Sequence, residues 1–548
     1  MDYLLGLTLA IFHPPPLFAF FTLFSLFRSF FILLTHTHTS HVTRHTSRRL
    51  VFFFCLMAHG LRVPLPFKRA SCVPPLFTRA YAYNRYSTVA AAAPPAPRAP
   101  RDGRGLGSGR VGGRLSHAES EGSAAMADAA ERRSVSPPLV ILKKDKARIV
   151  RSGTPMVYGD SVDCVVGRAP APGAVVIVAD KARTPLAWGL YNDNSMYRVR
   201  VLQTAQDVHR EDAQLIFDVD AVLQQRIREA VSLRRTLACD VGSSTAAYRL
   251  LNSEGDGTSG LVVDVFADAA VAQVSALWIE QSRSAVEKAL LSEVPGVRRV
   301  LWRRVSAMLR LETGDAFEES DDGVDVDAAD DEVEVVEDGL LRFAVDLRGG
   351  QKTGFYCDQR ENRRWLRALP LENARVLDLC CYTGGFSISA AAGGAKSVLG
   401  VDSSEHAVAL ASENARRNGF SEQCLFQSGD AIAVARELKA NGEMYDVVVL
   451  DPPKLAPSAK AVAKAKRKYA QFNAAAIDVL KPGGMLVTCS CSGAVARTGI
   501  LSDIVADVAH KAGRRAQLVR RSGAAPDHPI SAKYPESQYL DCLCYVIR

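Results

Sequence analysis

The sequence predicts an α/β protein: a C-terminal doubly wound, Rossmann-like sheet preceded by a central α+β domain and a small β-barrel. Three observations carry this. Arg375–Ser403 reads as an apolar strand (Val376–Leu379), a tight turn at Thr383-Gly384-Gly385, a helix restarting at Phe386, and a second strand, Ser397–Val401, closed by Asp402. Short runs buried on both faces and alternating with helices are the pattern of a parallel sheet. Asp446–Leu450 is a further continuous apolar run, and it delivers Asp451-Pro-Pro-Lys454 at its carboxyl end, where ligand-handling groups gather in such sheets. Between Leu139 and Leu202, five short strand-like runs follow one another with almost no helix, which suits a small barrel.

The Arg375–Ser403 stretch defines a nucleotide site. The missing Cβ atoms of Gly384 and Gly385 let a ligand approach the backbone. Asp402, 17 positions after Gly385, ends the second strand, where an acid takes ribose hydroxyls. A dinucleotide site would show G-x-G-x-x-G around a pyrophosphate. Here the turn follows Asp378, an acid that repels phosphate and suits a ligand with an amino group and a sulfonium. The predicted cofactor is therefore S-adenosylmethionine rather than NAD.

At 548 residues the chain has room for about three domains. Its net charge of +8 permits an RNA partner without establishing one. The twelve cysteines show no paired spacing, which points to a reducing compartment. Residues 1–56 are rich in Phe, Leu and Ser, with alternating Thr and His at Thr35–Thr39, and read as translated leader. A membrane anchor is the competing reading, but Pro14–Pro16 and Arg28 leave no clean span of about 20 residues, so no membrane partner is expected. From Met57 onward, Arg62, Lys68, Arg69, Arg79, Arg85, Arg98 and Arg101 precede the first acid, Asp102. That composition reads as a transit peptide for chloroplast or mitochondrion, with a disordered basic tail as the plain alternative. Gly103–Pro138 continues as low-complexity linker. Residues 1–138 thus read as leader, with Met1, Met57 and Met126 as candidate starts.

The barrel is placed at 139–207. Its Lys143, Lys144, Lys146, Arg148 and Arg151 suit an RNA phosphate track or, equally, a solvated face. The central domain, 208–346, has a helix over Ala213–Leu237, a strand, glycine-rich loop and strand over Arg249–Val265, a strand at Ala269–Val274 and a helix at Ile279–Leu291. The acidic stretch Glu318–Glu337 is read as a mobile insert, without the ligand spacing of a calcium loop.

The third unit, 347–548, carries the chemistry. Gln351–Arg360 places Lys352, Asp358, Gln359 and Arg360 upstream of the ligand strand. Strand Cys424–Gln427 ends near Asp430 and Ala431, where an acid meets an adenine amino group. The strand Met485–Ser490 closes with Thr488-Cys489-Ser490-Cys491. Residues two apart on a strand share a face, and Cys491 lies nearer the carboxyl tip. Strand cysteines are usually small core groups; a nucleophile is the functional alternative. The pairs Cys380–Cys381 and Cys542–Cys544 lack C-x-x-C spacing, so no metal site is expected.

From Leu139 onward the chain resembles the bacterial ribosomal large-subunit methyltransferase I family. Six signatures stand in order: Asn252–Gly260, Lys352–Arg360, Tyr382–Phe386, Asp451–Lys454, Ser490–Gly493 and Asp527–Pro529. The resemblance implies a PUA domain, a central domain and a class I methyltransferase domain. It implies RNA as partner, a homodimer being compatible, and formation of 5-methylcytosine in large-subunit ribosomal RNA. Cys491, Asp451 and Lys454 are the candidate catalytic residues. The candidate cofactor residues are Lys352, Thr353, Gly354, Phe355, Asp358, Gln359, Arg360, Asp378, Tyr382, Thr383, Gly384, Gly385, Phe386, Asp402, Ser403, Asp430 and Ala431. The chain departs from the family at Thr154-Pro155-Met156, where a His-Pro-Trp-type turn is usual, and in having Cys489 beside Cys491. The chemistry agrees with the resemblance: carbon 5 of cytosine is not nucleophilic until a nucleophile adds at carbon 6, and a thiolate beside a cationic cofactor is a suitable attacker. Many RNA cytosine methyltransferases carry a further cysteine where this chain has Lys454. Two alternatives stand beside this one. One is a nitrogen methyltransferase on guanine or adenine, although such enzymes show Asn-Pro-Pro-aromatic instead of Asp-Pro-Pro-Lys. The other is an RNA-binding ribosome assembly factor without turnover.

Overall fold

The computed structural model describes residues 116–239, 245–314, 332–456 and 458–548. The leader reading of residues 1–115 and the 318–331 part of the acidic stretch lie outside them. Within them, no helix is long and apolar enough to cross a membrane.

The linker expected up to Pro138 is corrected, because the described residues from Ser116 onward include a docked helix. A helix, His117–Glu131, starts with a reciprocal capping box between Ser116 and Glu119, which satisfies two otherwise free amides. It docks by close approach: a Cβ on Gly122 would lie 1.7 Å from the Ala205 carbonyl oxygen. Ser123 Oγ donates to the Pro185 carbonyl at 2.6 Å, and Met126 is fully buried. A helix of Ala, Ser and Gly with one large apolar side chain has little amphipathic signal, so its composition reads as linker.

The barrel domain is a six-stranded mixed sheet of β1 (Leu139–Leu142), β2 (Met156–Tyr158), β3 (Val162–Val166), β4 (Val175–Ala179), β5 (Pro185–Tyr191) and β6 (Tyr197–Thr204), in the order β2-β6-β5-β4-β1-β3. β2 is an addition to the strands expected from sequence. Thr154 and Met156 of the turn leading into it are buried and Pro155 is partly buried, and Met156 Sδ lies 3.9 Å from Arg200. Arg200 in turn pairs with Glu312 of the central domain in a buried ion pair. The turn therefore works as packing at the domain junction.

The central domain has β7 (Ala247–Asn252), β8 (Leu261–Phe266), β9 (Ala269–Val274) and β10 (Arg299–Arg304), in the order β10-β9-β8-β7. Helix Val219–Thr236 turns Ile227, Ala230 and Val231 into the core beneath them. The acidic insert is corrected over its last residues. β11 (Glu332–Glu337) pairs with β12 (Leu341–Asp346) as a hairpin, with Val335 buried and Glu337 held by Arg363. β12 docks on the third unit, where Asn414 and Asn418 accept from the Ala344 and Arg342 amides at 2.7 and 2.9 Å. No break therefore falls at 346/347. A shared core of Phe266, Val271, Phe343, Phe355 and Ile388 runs across that position.

The third unit is a seven-stranded sheet: β13 (Arg375–Leu379), β14 (Ser397–Asp402), β15 (Cys424–Ser428), β16 (Tyr445–Leu450), β17 (Leu480–Ser490), β18 (Ala516–Ser522) and β19 (Asp541–Ile547), in the order β15-β14-β13-β16-β17-β19-β18. Only the pairings that involve β19 are antiparallel. Successive strand residues alternate between two cores: in β16, Val447 and Val449 face one and Val448 and Leu450 the other, as the two-residue period requires. β13 has its chain successor β14 on one side and β16 on the other, so the strand order reverses there. Ligands bind outside the carboxyl ends at such a switch point.

Candidate active site

A cavity of about 930 Å³ opens at that switch point. β13 leads into a turn in which Cys380 and Tyr382 take left-handed backbone angles, φ 65° and 49°, a conformation that costs free energy and persists only where surroundings fix it. Here the fixing groups are visible. The Cys380 and Cys381 amides donate to the Val401 carbonyl at 2.8 and 3.0 Å. The Tyr382 amide donates to Asp402 Oδ2 at 2.9 Å, and Ser404 N donates to Oδ1 at 3.0 Å. The Asp402 carboxylate is thus aimed by two backbone amides with lone pairs to spare. Asp430 caps helix Ala431–Ala440 through Ala433 N at 2.9 Å, which orients the second strand-end acid.

The Gln351–Arg360 segment closes over these strand ends. Tyr382 Oη donates to the Gly354 carbonyl at 3.1 Å and accepts from Gln351 N at 2.9 Å. Lys352 Nζ bonds Asp358 Oδ2 at 2.8 Å and lies 4.1 Å from the centre of the Tyr356 ring. Tyr539 Oη donates to the same Asp358 oxygen at 2.8 Å. Burial pushes the Asp358 carboxyl up, but Lys352 and His528 hold it well below the usual range. Gln359 Nε2 donates to Asp451 Oδ2 at 3.0 Å. Burial, with ionised Asp358 nearby, raises Asp451 to about 6.

Cys491 leaves the end of β17 against the Asp-Pro-Pro segment, with Sγ 3.9 Å from the Pro452 carbonyl oxygen. Burial and Asp451 push its thiol up to about 11, against the pull of Lys352 and Lys454. Cys489 lies deeper: it is fully buried, directly opposite Cys542, among Val487, Cys542 and Cys544 in the sheet core.

Asp451, Lys454 and Cys491 share this cavity with Lys352, Phe355, Asp358, Gln359, Tyr382, Thr383, Gly385, Phe386, Asp402, Ser403, Asp430 and Ala431. Five candidates do not line it. Asp378 is fully buried beneath the turn, accepting from Ser387 Oγ at 2.7 Å. Burial raises it to about 7. Thr353 donates to Asp264 of the central domain. Arg360 is committed to a buried ion pair with Asp527, at 3.0 Å. Gly354 and Gly384 shape the backbone behind the wall. Tyr356, Tyr539 and the central-domain residues Arg249, Asn252, Ser253 and Glu254 line the cavity and are additions to the candidates. Tyr356 falls inside the Lys352–Arg360 signature and Asn252–Glu254 inside Asn252–Gly260. Tyr539, ahead of the last strand, carries no local signal.

The cavity suits a cationic nucleoside. Asp402 and Asp430 stand at successive strand ends, Phe386 gives an apolar wall, and Asp358 Oδ1 is buried without a hydrogen-bond partner among the described residues. Among the described residues, no cluster of three or more His, Cys, Asp or Glu is arranged to hold a metal ion.

A sheet reversed at β13, a glycine turn and strand-end acids define the class I methyltransferases. The description "S-adenosylmethionine-dependent methyltransferase" matches residues 322–532, and "PUA-like domain" matches residues 140–204. Two solved structures, a SAM-dependent methyltransferase from Streptococcus mutans and a methyltransferase complexed with SAH, superpose with TM-scores of 0.60 at 16% identity, over 74% of this chain and 99% of theirs. Ribosomal RNA large subunit methyltransferase I of Photobacterium profundum is 35% identical over 410 residues, 74% of this chain and 99% of that protein. The enzyme of the same name from Tolumonas auensis is 35% identical over 402 residues, 73% and 97% of the two chains. This chain belongs to the ribosomal RNA large subunit methyltransferase I family, and its cofactor is S-adenosylmethionine.

Asp402→Ala is expected to weaken binding of S-adenosylhomocysteine by about 1–3 kcal/mol, the scale of a hydrogen bond to a charged group. Calorimetry showing unchanged affinity would remove Asp402 from the cofactor's contacts.

Proposed function

We propose that this protein methylates carbon 5 of a cytosine in large-subunit ribosomal RNA, with Cys491 as nucleophile. The observation that carries the reading is the convergence, on one cavity, of a strand-tip thiol, Asp451 and two strand-end acids, Asp402 and Asp430. The cofactor, when bound, supplies the methyl group as an electrophile. Cys491 Sγ adds to carbon 6, and electron density moves through the ring to carbon 5. Asp451, raised to about 6 and held by Gln359, exchanges a proton with N3 of the base during that addition. Lys352 and Lys454 oppose the upward shift of the Cys491 thiol and so favour the attacking thiolate. After methylation a base, solvent water or hydroxide in the simplest case, takes the carbon-5 proton; the C5–H electron pair re-forms the C5=C6 double bond as the C6–S bond breaks, and Cys491 leaves as the thiolate. The target base must be unstacked to enter the cavity. The relatives' names support ribosomal RNA as the substrate class, and the PUA-like match supports an RNA partner.

Incubating RNA with the protein and methyl-labelled cofactor, then analysing nucleosides, tests the reading. Label in 5-methylcytidine is expected. Label on a guanine or adenine nitrogen would replace cytosine chemistry by nitrogen methylation, and absence of label in any RNA would leave a binding protein.

The Arg-rich, acid-poor stretch after Met57 supports import into a chloroplast or mitochondrion, with the organelle's ribosome as the site of action. A fluorescent fusion of residues 57–138 is expected to enter one of these organelles; retention in the cytosol would overturn this.

A further inference from the structure

The helix Val462–Asp478 begins a few residues after Lys454 and carries Lys464, Lys466, Arg467 and Lys468 within five positions. Its one acid, Asp478, is the last residue and pairs with Lys439 at 2.9 Å. Among the described residues, no carboxylate pairs with Lys460, Lys464, Arg467 or Lys468. At 3.6 residues per turn, Lys464, Arg467 and Lys468 fall within a sector of about 100°. That sector adjoins the buried face formed by Ala465, Tyr469 and Phe472. Lys468 and Phe472 both line the cavity, with Nζ 4.9 Å from the ring centre. Lys464 is exposed one turn further out, Lys460 is exposed in the 3-10 turn that precedes the helix, and Arg467 is exposed beside Lys464.

Lys460, Lys464 and Arg467 have no ion-pair partner among the described residues to favour the fold. Lys464 lies in the first helical turn, at the positive end of the helix dipole, and Lys464 and Lys468 are a like-charged i, i+4 pair. Each effect is unfavourable, and no ion pair offsets it. A row of unpaired cations leading to the mouth of a catalytic cavity suits a polyanion whose reactive part lies inside. The rise from Lys464 to Lys468 is about 6 Å, of the order of one nucleotide of an extended strand.

We propose that Lys460, Lys464 and Arg467, leading to Lys468, form a phosphate track that holds the RNA strand flanking the target base while that base occupies the cavity. The inference rests on the reading of this chain as an RNA methyltransferase and adds where the strand runs and what holds it. Its occupant is single-stranded RNA backbone, read by charge and not by sequence.

The test is a full-chain triple variant, Lys460→Gln, Lys464→Gln and Arg467→Gln, titrated with a labelled single-stranded RNA oligonucleotide across a salt series. Neutralising three phosphate contacts is expected to weaken binding about tenfold or more at low salt. It should also lower the slope of log affinity against log salt by about 2, at about 0.7 per contact. Binding of S-adenosylhomocysteine and the methylation rate at saturating RNA should stay as in wild type. The thermal midpoint should be equal or higher, since repulsion is relieved, whereas a structural role would lower it. The triple variant with Arg467→Lys, Lys460→Arg and Lys464→Arg should restore the affinity and the slope. If wild type methylates RNA and the Gln variant shows the same affinity and slope, the track is wrong and the methyltransferase reading stands. If wild type neither binds nor methylates RNA at any salt, both fall.

Discussion

Cys491→Ser is expected to lose turnover by on the order of 10³-fold or more, the scale for removing a covalent nucleophile, while binding of cofactor and RNA is retained. The argument is positional. Cys491 lines the cavity against Pro452, whereas Cys489 is fully buried opposite Cys542. Two strand positions correspond to about 6–7 Å, and a covalent step needs its atoms within about 3–3.5 Å, so one thiol alone can be placed for attack. Cys489→Ser should therefore keep most activity. RNA carrying 5-fluorocytosine should trap an adduct with wild type and with Cys489→Ser, but not with Cys491→Ser. Because burial and Asp451 push the Cys491 thiol up to about 11, its thiolate fraction grows throughout the neutral and mildly alkaline range. Trapping by the free enzyme should accelerate accordingly. An adduct mapped by mass spectrometry to Cys489, or full activity in both serine variants, would end the assignment.

Arg360→Met is expected to destabilise the folded chain by about 3–5 kcal/mol, because it removes the arginine partner of a buried carboxylate and leaves it only the His528 ring and the Arg249 amide. Arg360 and Asp527 are both buried and their ion pair closes at 3.0 Å. Asp527 also accepts from the Arg249 amide at 2.9 Å, and its carbonyl accepts from Arg234 at 2.8 Å. Asn252 Nδ2 donates to the Pro529 carbonyl at 2.9 Å, and a Cβ on Gly255 would meet that same oxygen at 2.0 Å. The Asn252–Gly260 and Asp527–Pro529 signatures are thus two halves of one joint between the central and methyltransferase domains, with Arg360 at its centre. Denaturant unfolding checks the expectation. A variant as stable as wild type but deficient in S-adenosylhomocysteine binding would return Arg360 to the cofactor site.

The split between what was legible and what was not follows the range of the interactions. Elements whose cause is local were readable: the apolar runs of β13, β14 and β16, the glycine turn at Thr383–Gly385, and the strand-end positions of Asp402, Asp430 and Asp451. In a parallel sheet, strand order and the carboxyl-end rule convert those positions into a site without further information. The helix at His117–Glu131 was hidden because it packs through Gly122 and Ser123, a contact that needs Ala205 and Pro185, far along the chain, to be in place. β11 was hidden in an acidic composition whose Glu337 becomes tolerable only when Arg363 meets it. Side-chain destinations inside the Lys352–Arg360 signature show the same limit. One short segment sends Lys352 and Gln359 into the cavity, Thr353 to Asp264 and Arg360 to Asp527. Periodicity and spacing fix where a residue stands along its own element. Which way a polar side chain turns is decided by the partner that removes the cost of burying it, and those partners, 167 residues apart in the case of Arg360 and Asp527, come together only in the folded chain.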